Sequence, residues 1–580
     1  MTLSKPGIRS RFNINIRLAL TLLVATVILL GALQRAAGAQ PADGDDFVIS
    51  GQLVNIENQP VVEAHVAALD AATEEIVAET ESQDDGTWSL EMAEPPQQPL
   101  TILIERPHYE PFSYQMTQRD LMQLAANGTF RLEEIGLSRR VSIGFWAAAA
   151  IFLAMLLTIA LEKLHSTTAA LAGLSAVFLV TFVGGQFNPD LYIFDFERAL
   201  TYINWEVIFL LIGMMIIIAI IEHTGIFQWT AFQAYRLSGG RTWLLVLILM
   251  AITAVASALL DNFTTMLLMT PISLQIGLAL GINPLALIIP EILASNVGGI
   301  STLIGTPTNI LIGAYAGIGF SDFLINQTVG VLLALALMGA YVLFHYRQEW
   351  RKGGNTISPA LYERLKKNAA IEEPGNLRRA GLVFVLVLAG FIIGEQYHVV
   401  PAVPALIGAT ILLIWLRPDV PAMIKAVDWT TLVFFMALFM VVGAIQEVGV
   451  ISVVAQRVSR LVGDSLVLSI FVLVFGVGTL STLVANIPLA ASLLPVVEFL
   501  TGSVPGAHSK ALYYALSMGA AMGGNGFLIG AEANLVTAGI TEQAGTPISF
   551  GEFLRIGLPV TYLTLLAGFL WLMLWFVVIG

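Results

Sequence analysis

The chain repeats one of its own hydrophobic patterns. Residues 203–225 (INWEVIFLLIGMMIIIAIIEHTG) align without a gap with residues 427–449 (VDWTTLVFFMALFMVVGAIQEVG), at an offset of 224 positions. The same offset places residues 257–272 (SALLDNFTTMLLMTPI) on residues 481–496 (STLVANIPLAASLLPV). Self-similarity over segments of this length predicts that the chain folds into two related halves.

Both halves are interrupted by Asn, Gly and Pro at matching places. With one inserted residue, 298–309 (GGISTLIGTPTN) aligns with 523–534 (GGNGFLIGAEAN). Apolar halves broken at matching points are typical of secondary transporters built from inverted repeats, and the breaks point to the binding site. Only 12% of the 580 residues are charged, against roughly 25% in soluble domains. We therefore predict a polytopic α-helical membrane protein with repeats at about 203–346 and 427–580.

The composition excludes several classes of chemistry. The chain has no cysteine, so disulfides, thiolate catalysis and cysteine metal sites are excluded. Its seven histidines show no metal-ligand spacing, and the P-loop, HExxH and GxSxG patterns are absent, which argues against an ATP-driven pump. We expect no enzymatic activity, no catalytic residue and no cofactor. The formal net charge of −13 does not suggest nucleic-acid binding.

The first 39 residues have the features of a membrane-targeting segment. Basic residues precede an apolar run at 18–33, and a small-residue motif follows at 37–39. This pattern fits a cleaved signal peptide or a retained first transmembrane helix. Both alternatives leave the next segment outside the cytoplasm, because the positive charges stay inside.

Residues 46–136 predict a small extracytoplasmic β-sandwich. Short stretches of alternating apolar residues are separated by turn signals such as Asp85-Gly86, which is a strand pattern. We interpret Gly51 as a turn former too, and His65 and His108 as ordinary sandwich residues. The sequence GQLVN…QPVVEAHV…DDGTWSL resembles the carboxypeptidase regulatory-like domain.

Residues 141–580 predict the transporter domain. Eight spans of about 20 apolar residues are expected, near 143–161, 167–185, 204–222, 328–346, 380–397, 399–416, 430–447 and 555–579. Four longer apolar elements are broken near their middles, at 243–280, 287–317, 466–500 and 511–540.

Charge sets the expected orientation of these elements. The basic segment 347–379 should be cytoplasmic and the acidic segment 186–203 external. The element 243–280 then enters and leaves from the cytoplasm, and 466–500 enters and leaves from outside. The two repeats are therefore predicted to be inverted relative to each other.

Asp261 and Asn262 interrupt the apolar element 243–280. Irregular backbone at membrane depth is tolerated only where it is buried in protein or lines a cavity. We therefore predict a helical hairpin with its tip at Asp261–Thr264. Helix-end carbonyls at the tip favour a cation, and the N–H groups of the next helix favour an anion. The alternative is two ordinary spans joined by a loop that holds Asp261.

The next element, 291–313, is broken by glycines and Pro307. Oxygen-bearing side chains surround the break, namely Ser295, Asn296, Thr302, Thr306 and Asn309. No Lys or Arg occurs from Trp243 to Tyr346, although three acidic residues do. This charge balance favours a cation, and hard oxygen ligands suit Na⁺ better than a transition metal. We place the hypothetical Na⁺ at Asp261, Asn262 and Asn296.

These motifs resemble the ArsB/NhaD and citrate-transporter-like permeases of the ion transporter superfamily, and within it the P-protein branch. The resemblance covers about 200–580 and implies two re-entrant hairpins, two broken helices, and usually a homodimer with an elevator motion. It carries the tip motif over to Asp261, Asn262, Thr264 and Thr265, and the broken-helix motif over to Ser295, Asn296, Gly298, Gly299, Thr302, Gly305, Pro307 and Asn309. In the first half we assign ion or substrate binding to Asp261, Asn262, Thr264, Thr265, Ser295, Asn296, Gly299, Thr302, Thr306 and Asn309. In the second half we assign the same role to Asn486, Asn525, Glu532 and Asn534.

The sequence also departs from its family pattern. Relatives of the P protein often read GDPPN after the glycines, whereas this chain reads GTPTN, with Thr306 and Thr308. The GTPTN sequence weakens the interpretation of this protein as a proton antiporter. The second tip, Ala485-Asn486-Ile487, has no carboxylate or hydroxyl, and Glu532 stands where relatives commonly carry Pro. The second ion site is thus expected to be altered or lost.

We predict a secondary transporter of the inner membrane that moves a small ion or anion coupled to Na⁺ or H⁺. A Na⁺/H⁺ antiporter and an anion-conducting pathway remain alternatives. So does a receptor that senses ligands through the external domain. The substrate stays open among arsenite, a carboxylate, chloride and Na⁺ itself.

Overall fold

The computed structural model describes residues 47–55, 60–93, 96, 98–161, 163–352, 363, 366–367, 370–371 and 373–579. The predicted signal peptide or first helix at 1–39 lies outside these residues. The chain forms two units, of which the first ends at Arg139 and the second begins at Arg140.

The described residues of the first unit form two small β-sheets and one helix. Its strands are β1 (Phe47–Asn55), β2 (His65–Asp70), β3 (Ile76–Glu81), β4 (Thr87–Met92), β5 (Leu100–Glu105), β6 (Phe112–Gln115), β7 (Thr129–Arg131) and β8 (Ile135–Leu137), with α1 (Gln118–Asn127) between β6 and β7. One sheet has the order β4-β1-β7, with β8 also paired to β1, and the other has the order β3-β2-β5-β6. Buried side chains from both sheets form one core. The predicted β-sandwich is confirmed, and the resemblance to a carboxypeptidase regulatory-like domain stays a prediction.

Two of the predicted turn formers have different roles in this sandwich. Gly51 lies inside β1 opposite Trp88, and a Cβ at Gly51 would stand 2.7 Å from the indole ring. Gly86 does form a turn, with φ of +76°. The Asp85 carboxylate accepts hydrogen bonds from both the backbone and the hydroxyl of Thr87, at 2.9 and 2.5 Å.

The second unit is helical. Its helices are α2 (Ile143–Ala160), α3 (Ser166–Phe187), α4 (Phe196–Thr201), α5 (Trp205–Glu222), α6 (Ile226–Ser238), α7 (Thr242–Leu259), α8 (Asn262–Leu280), α9 (Leu285–Gly298), α10 (Pro307–Ala316), α11 (Phe320–His345), α12 (Pro374–Gln396), α13 (Ala402–Leu416), α14 (Val420–Ala426), α15 (Trp429–Glu447), α16 (Val450–Val462), α17 (Leu466–Ser481), α18 (Asn486–Ser503), α19 (Ala511–Gly523), α20 (Glu532–Gln543) and α21 (Phe550–Ile579). Ten of the helices in the described residues are long and apolar enough to cross a membrane.

All eight predicted spans are present as helices. The largest difference is at α11, which begins at Phe320 rather than near 328. Its first turn contains Asp322, whose carboxylate accepts a hydrogen bond from the Gly319 backbone N–H at 3.4 Å. A polar first turn of this kind is favourable at a helix N-terminus but lowers the local hydropathy, so the sequence pattern places the start too late.

Helices of the two repeats correspond to each other in their bounds, glycines and prolines. Helices α6 and α16 have equivalent bounds at an offset of 224, and each begins after a glycine with positive φ, Gly225 at +78° and Gly449 at +86°. Helices α8 and α18 each contain a proline at the equivalent place, Pro271 and Pro495. The internal repeat of the sequence is therefore an internal repeat of the structure.

Close helix packing is also repeated. Ser257 of α7 donates to the Ser295 carbonyl at 2.8 Å, and its equivalent Ser481 of α17 donates to the Ala520 carbonyl at 2.6 Å. A Cβ on Gly298 would collide with the Ala254 backbone, and one on Gly523 with the equivalent Gly478 carbonyl. Small residues allow this close approach in membrane helices.

The repeats also exchange contacts. The second arm of each hairpin packs against the broken helix of the other repeat, α8 against α20 and α18 against α10. This crossed packing brings both hairpin tips and both helix breaks to the same part of the molecule.

Candidate functional site

The first hairpin tip lies between α7 and α8. Asp261 is the N-cap of α8, and its carboxylate accepts from the Thr264 backbone N–H and from the Thr264 hydroxyl, both at 2.7 Å. Asp is a preferred N-cap because it satisfies backbone donors that the helix leaves free. The sequence therefore stops one helix and starts the next at the predicted tip.

A chain of side-chain amides joins the first tip to both broken helices. Asn262 donates to Asn296 at 2.8 Å, and Asn296 in turn donates to Asn525 at 2.8 Å and to Asn534 at 2.9 Å. All four residues are buried. Buried amides need such partners. This chain of amides therefore fixes the positions of the two repeats relative to each other.

The two broken helices are braced in the same way. Asn309 donates to the carbonyls of Ile300 and Thr302, at 3.0 and 2.8 Å. Its equivalent Asn534 donates to the carbonyls of Gly524 and Phe527, at 2.9 and 3.1 Å. Each asparagine thus satisfies carbonyl groups that the break in its own helix leaves free.

Tips and breaks from both repeats surround one cavity of about 120 Å³. Six predicted site residues line it, namely Asp261, Asn262, Thr264, Thr306, Asn486 and Glu532. The other eight lie outside its lining, namely Thr265, Ser295, Asn296, Gly299, Thr302, Asn309, Asn525 and Asn534. Of these eight, Asn296, Asn525 and Asn534 belong to the amide chain, and Asn309 braces the first break. The predicted ligand roles of all eight stay predictions.

Three polar residues of the lining were not predicted. Glu222 ends α5, and Asp428 and Thr431 lie at the start of α15. The Asp428 carboxylate accepts from the Thr430 and Thr431 backbone N–H groups, both at 3.1 Å, and from the Thr431 hydroxyl at 2.5 Å. The repeat alignment contains a signal, because Asp428 falls on Asn204, so a carboxylate replaces an amide at the start of the second equivalent helix.

The charge of this cavity is strongly one-sided. Four carboxylates line it, from Glu222, Asp261, Asp428 and Glu532, and none of the described lining residues is Lys, Arg or His. Carboxylates that share a confined site repel one another unless cations or protons compensate them. The arrangement can therefore hold a cation, and it can hold an anion only together with cations.

A second, larger cavity adjoins the first. It has a volume of about 710 Å³ and shares Phe263, Asp428, Thr431 and Glu532 with the smaller one. Its remaining walls include the end of α2 and the start of α3. Asp428 and Glu532 thus stand at the junction of the two cavities.

Together, this fold and this site define a membrane transporter. Residues 156–518 match the citrate transporter family, CitMHS, and the chain belongs to that family. The resemblance to citrate-transporter-like permeases is confirmed. The protein is integral to the membrane, and its family and relatives are transporters rather than enzymes.

The relatives include uncharacterized transporters and the P protein. An uncharacterized transporter of Mycobacterium tuberculosis (strain ATCC 25618 / H37Rv) is 36% identical over 432 residues, which cover 73% of this chain and 98% of that protein. The P protein of Homo sapiens is 32% identical over 510 residues, which cover 75% of this chain and 60% of that protein. The P-protein resemblance is thereby confirmed as well.

Two solved transporters give weaker similarity. The YdaH transporter of Alcanivorax borkumensis has 15% identity and a TM-score of 0.47, covering 74% of this chain and 98% of that one. The Neisseria gonorrhoeae efflux pump MtrF has 12% identity and the same TM-score of 0.47, covering 75% and 96%. A TM-score below 0.5 is too low to establish a shared fold.

Proposed function

We propose that the chain is a secondary transporter that couples the movement of a small ion or anion to Na⁺ or H⁺. One observation carries this proposal. Both hairpin tips and both helix breaks converge on a single cavity whose charged lining residues are all carboxylates. Repeats that meet at a central site, with irregular backbone only there, are the arrangement that alternating access uses.

The electrostatics of the cavity explain the coupling. An anion entering this site alone would be repelled by Asp261, Asp428 and Glu532. Bound cations reduce that repulsion, so the affinity for an anion depends on prior occupancy by Na⁺ or H⁺. Thermodynamic reciprocity requires the anion to raise cation affinity by the same factor.

The coupling ion is proposed to bind at the first tip. Asp261 and Asn262 both line the cavity beside Thr264, and this set of hard oxygens suits Na⁺. Asn296 lies one hydrogen bond behind Asn262. It supports the proposal by fixing the orientation of the Asn262 amide. Its Oδ1 atom accepts one hydrogen bond, so a second lone pair remains for the ion.

A Na⁺/H⁺ antiporter is the second candidate, and the absence of Lys, Arg and His from the described lining favours it. In that case the cation is itself the cargo. The carboxylates then carry Na⁺ in one direction and protons in the other, and no organic or inorganic anion is needed.

The location of the cavity supports an inward-facing conformation. Glu222 at the end of α5 and Asp428 at the start of α15 both line it. The charge distribution predicts that both helix ends lie on the cytoplasmic side. The first hairpin tip would then lie at the cytoplasmic side of the membrane, as an elevator motion implies for the inward-facing state of the transporter. The homodimer implied by the family resemblance stays a prediction.

Transport by purified protein in proteoliposomes tests the proposal. Na⁺ and pH gradients of either direction would be imposed with arsenite, chloride and small carboxylates in turn. We expect uptake of one anion that depends on a cation gradient. Na⁺ efflux driven by a pH gradient without any anion would support the antiporter instead. Transport independent of both gradients would contradict cation coupling, and absence of all transport would favour the receptor.

A further inference from the structure

A second polar cluster lies inside repeat one, outside the lining of both cavities. Glu291 of α9 is 0% exposed, and its Oε2 atom accepts a long hydrogen bond of 3.4 Å from the Thr253 hydroxyl of α7. Its Oε1 atom has no hydrogen-bond partner among the described residues. The Ser273 hydroxyl of α8, a helix that packs against α9, is likewise buried without a hydrogen-bond partner among the described residues.

Among the described residues, no basic side chain forms an ion pair with this carboxylate. Helices α7 and α8 contain no charged residue, and the one described hydrogen bond to the Glu291 carboxylate comes from Thr253. The other helices that pack on α9 carry the titratable residues Asp322, Tyr341 and His345 on α11, Tyr513 and Tyr514 on α19, Glu532 and Glu542 on α20, and Glu552, Arg555 and Tyr562 on α21. A buried carboxylate without a partner is unfavourable unless a proton or a metal cation neutralises it.

Repeat two provides an internal control for the role of this cluster. At the repeat offsets, Thr253 falls on Val477, Ser273 on Val497 and Glu291 on Leu516, and all three replacements are buried. In repeat two, α19 packs against both α17 and α18, as α9 packs against α7 and α8 in repeat one. Packing against this helix therefore needs no polar group at the equivalent positions. All three polar residues of repeat one are replaced by apolar residues in repeat two.

We propose that Glu291, together with the Thr253 and Ser273 hydroxyls, binds a second monovalent cation, a proton or Na⁺, inside repeat one. Glu291 precedes Asn296 by five residues, or about 7.5 Å along a helix. An ion at Glu291 is thus close to the amide chain without entering the cavity. The role of this cation in transport rests on the proposed function, in which it would add one positive charge to each transport cycle. The binding of the cation does not rest on that function.

Cation-dependent thermal stability of the purified protein tests this site. Asp261→Asn removes one carboxylate of the cavity, while Glu222, Asp428 and Glu532 remain there. The difference between Asp261→Asn and the double variant D261N/E291Q therefore reports on Glu291. We expect Asp261→Asn to retain a rise in Tm with added NaCl at fixed pH, or with falling pH in the absence of Na⁺. The double variant should show a smaller rise. A reduced NaCl response identifies Na⁺, and a reduced pH response identifies a proton.

Two results would overturn the proposal. One is a double variant that responds to NaCl and pH as Asp261→Asn does. The other is an Asp261→Asn variant that has already lost both responses. If Asp261→Asn does not fold, E291Q alone is compared with the unmodified protein, and the proposal requires a lower Hill coefficient for Na⁺ or a weaker pH dependence.

The matched control gives repeat one the residues of repeat two. The triple variant T253V/S273V/E291L should fold and keep its Tm in the absence of cation, because Val477, Val497 and Leu516 already pack in this way. Failure of this variant to fold would show that packing requires the polar cluster. Failure of gradient-driven transport in the unmodified protein would contradict the proposed function but leave these binding measurements unaffected.

Discussion

At the scale of single residues, Asp261 is the position on which the proposed coupling depends most. Its carboxylate faces the cavity and also caps α8 through Thr264. Asp261→Asn keeps an N-cap oxygen, since Asn is an equally good cap, but removes the negative charge. We therefore expect folded protein in the membrane, with ion-dependent transport reduced at least about tenfold, the loss that follows from roughly 1.4 kcal/mol of lost binding. Proteoliposome uptake measures it.

The control for this substitution is Glu542→Gln. Glu542 is exposed near the end of α20 and does not line the cavity, so the same chemical change there should leave ion dependence unaltered. Normal ion dependence in Asp261→Asn would remove Asp261 from the proposed ion site.

Asn262 and Asn486 are equivalent by the repeat but not by environment. Both line the cavity. Asn262 has Asp261 and Thr264 beside it, whereas Asn486 follows Ala485 and precedes Ile487. We expect Asn262→Ala to raise the apparent Kd for Na⁺ by about tenfold or more, because the amide also bonds to Asn296. Asn486→Ala should chiefly weaken substrate binding. Na⁺-dependent thermal stabilisation compares the two, and equal shifts would mean that the tips contribute symmetrically.

The sequence identified the cavity residues that lie at helix breaks and missed those that tertiary packing brings there. Asp261 and Asn486 stand out because a polar residue interrupts an apolar run. Asp428 ends an ordinary loop, and only the packing of α15 against α18, which begins at the second tip, makes it part of the site. Asn309 shows a different limit, because the sequence identified the residue but not its role. An amide near a break can bind an ion or cap carbonyls, and the sequence does not distinguish these roles.

At the scale of helices, the breaks could be predicted better than the regular parts. Pro, Gly and Asn determine where a helix stops, so the ends of α7 and α9 fall where the sequence places them. The π-helical turn at Val472–Val477 within α17 has no equivalent signal. This turn packs against α19, and local sequence does not record that packing.

Helix packing across α7 and α9 gives a prediction with a matched control. A Cβ at Gly298 would collide with the Ala254 backbone, so Gly298→Ala should force the helices apart and destabilise the protein by about 1–3 kcal/mol. Gly381 in α12 has open space around its Cβ position. Gly381→Ala should therefore be neutral, or stabilising by up to about 1 kcal/mol. Thermal unfolding in detergent measures both, and a neutral Gly298→Ala would contradict the close packing of these helices.

At the scale of the whole molecule, charge predicts which way the repeats face. A reporter active only outside the cytoplasm should be silent when fused within 350–375 and active when fused within 188–200. The first place lies within the basic segment 347–379 and the second within the acidic segment 186–203. The same result at both places would contradict the orientation, and with it the inverted hairpins and the cytoplasmic location of the cavity.

The division of the chain into two units predicts that transport survives loss of the first. The core of the β-sandwich consists of its own residues, between Ile49 and Leu137, and every residue that lines the smaller cavity lies in the second unit. Deleting 46–136 while keeping the first 45 residues should therefore leave measurable cation-dependent uptake in proteoliposomes. The same deletion combined with Asp261→Asn serves as the inactive control. If the shortened protein inserts and assembles but transports nothing, the β-sandwich takes part in the transport cycle and the site described here is incomplete.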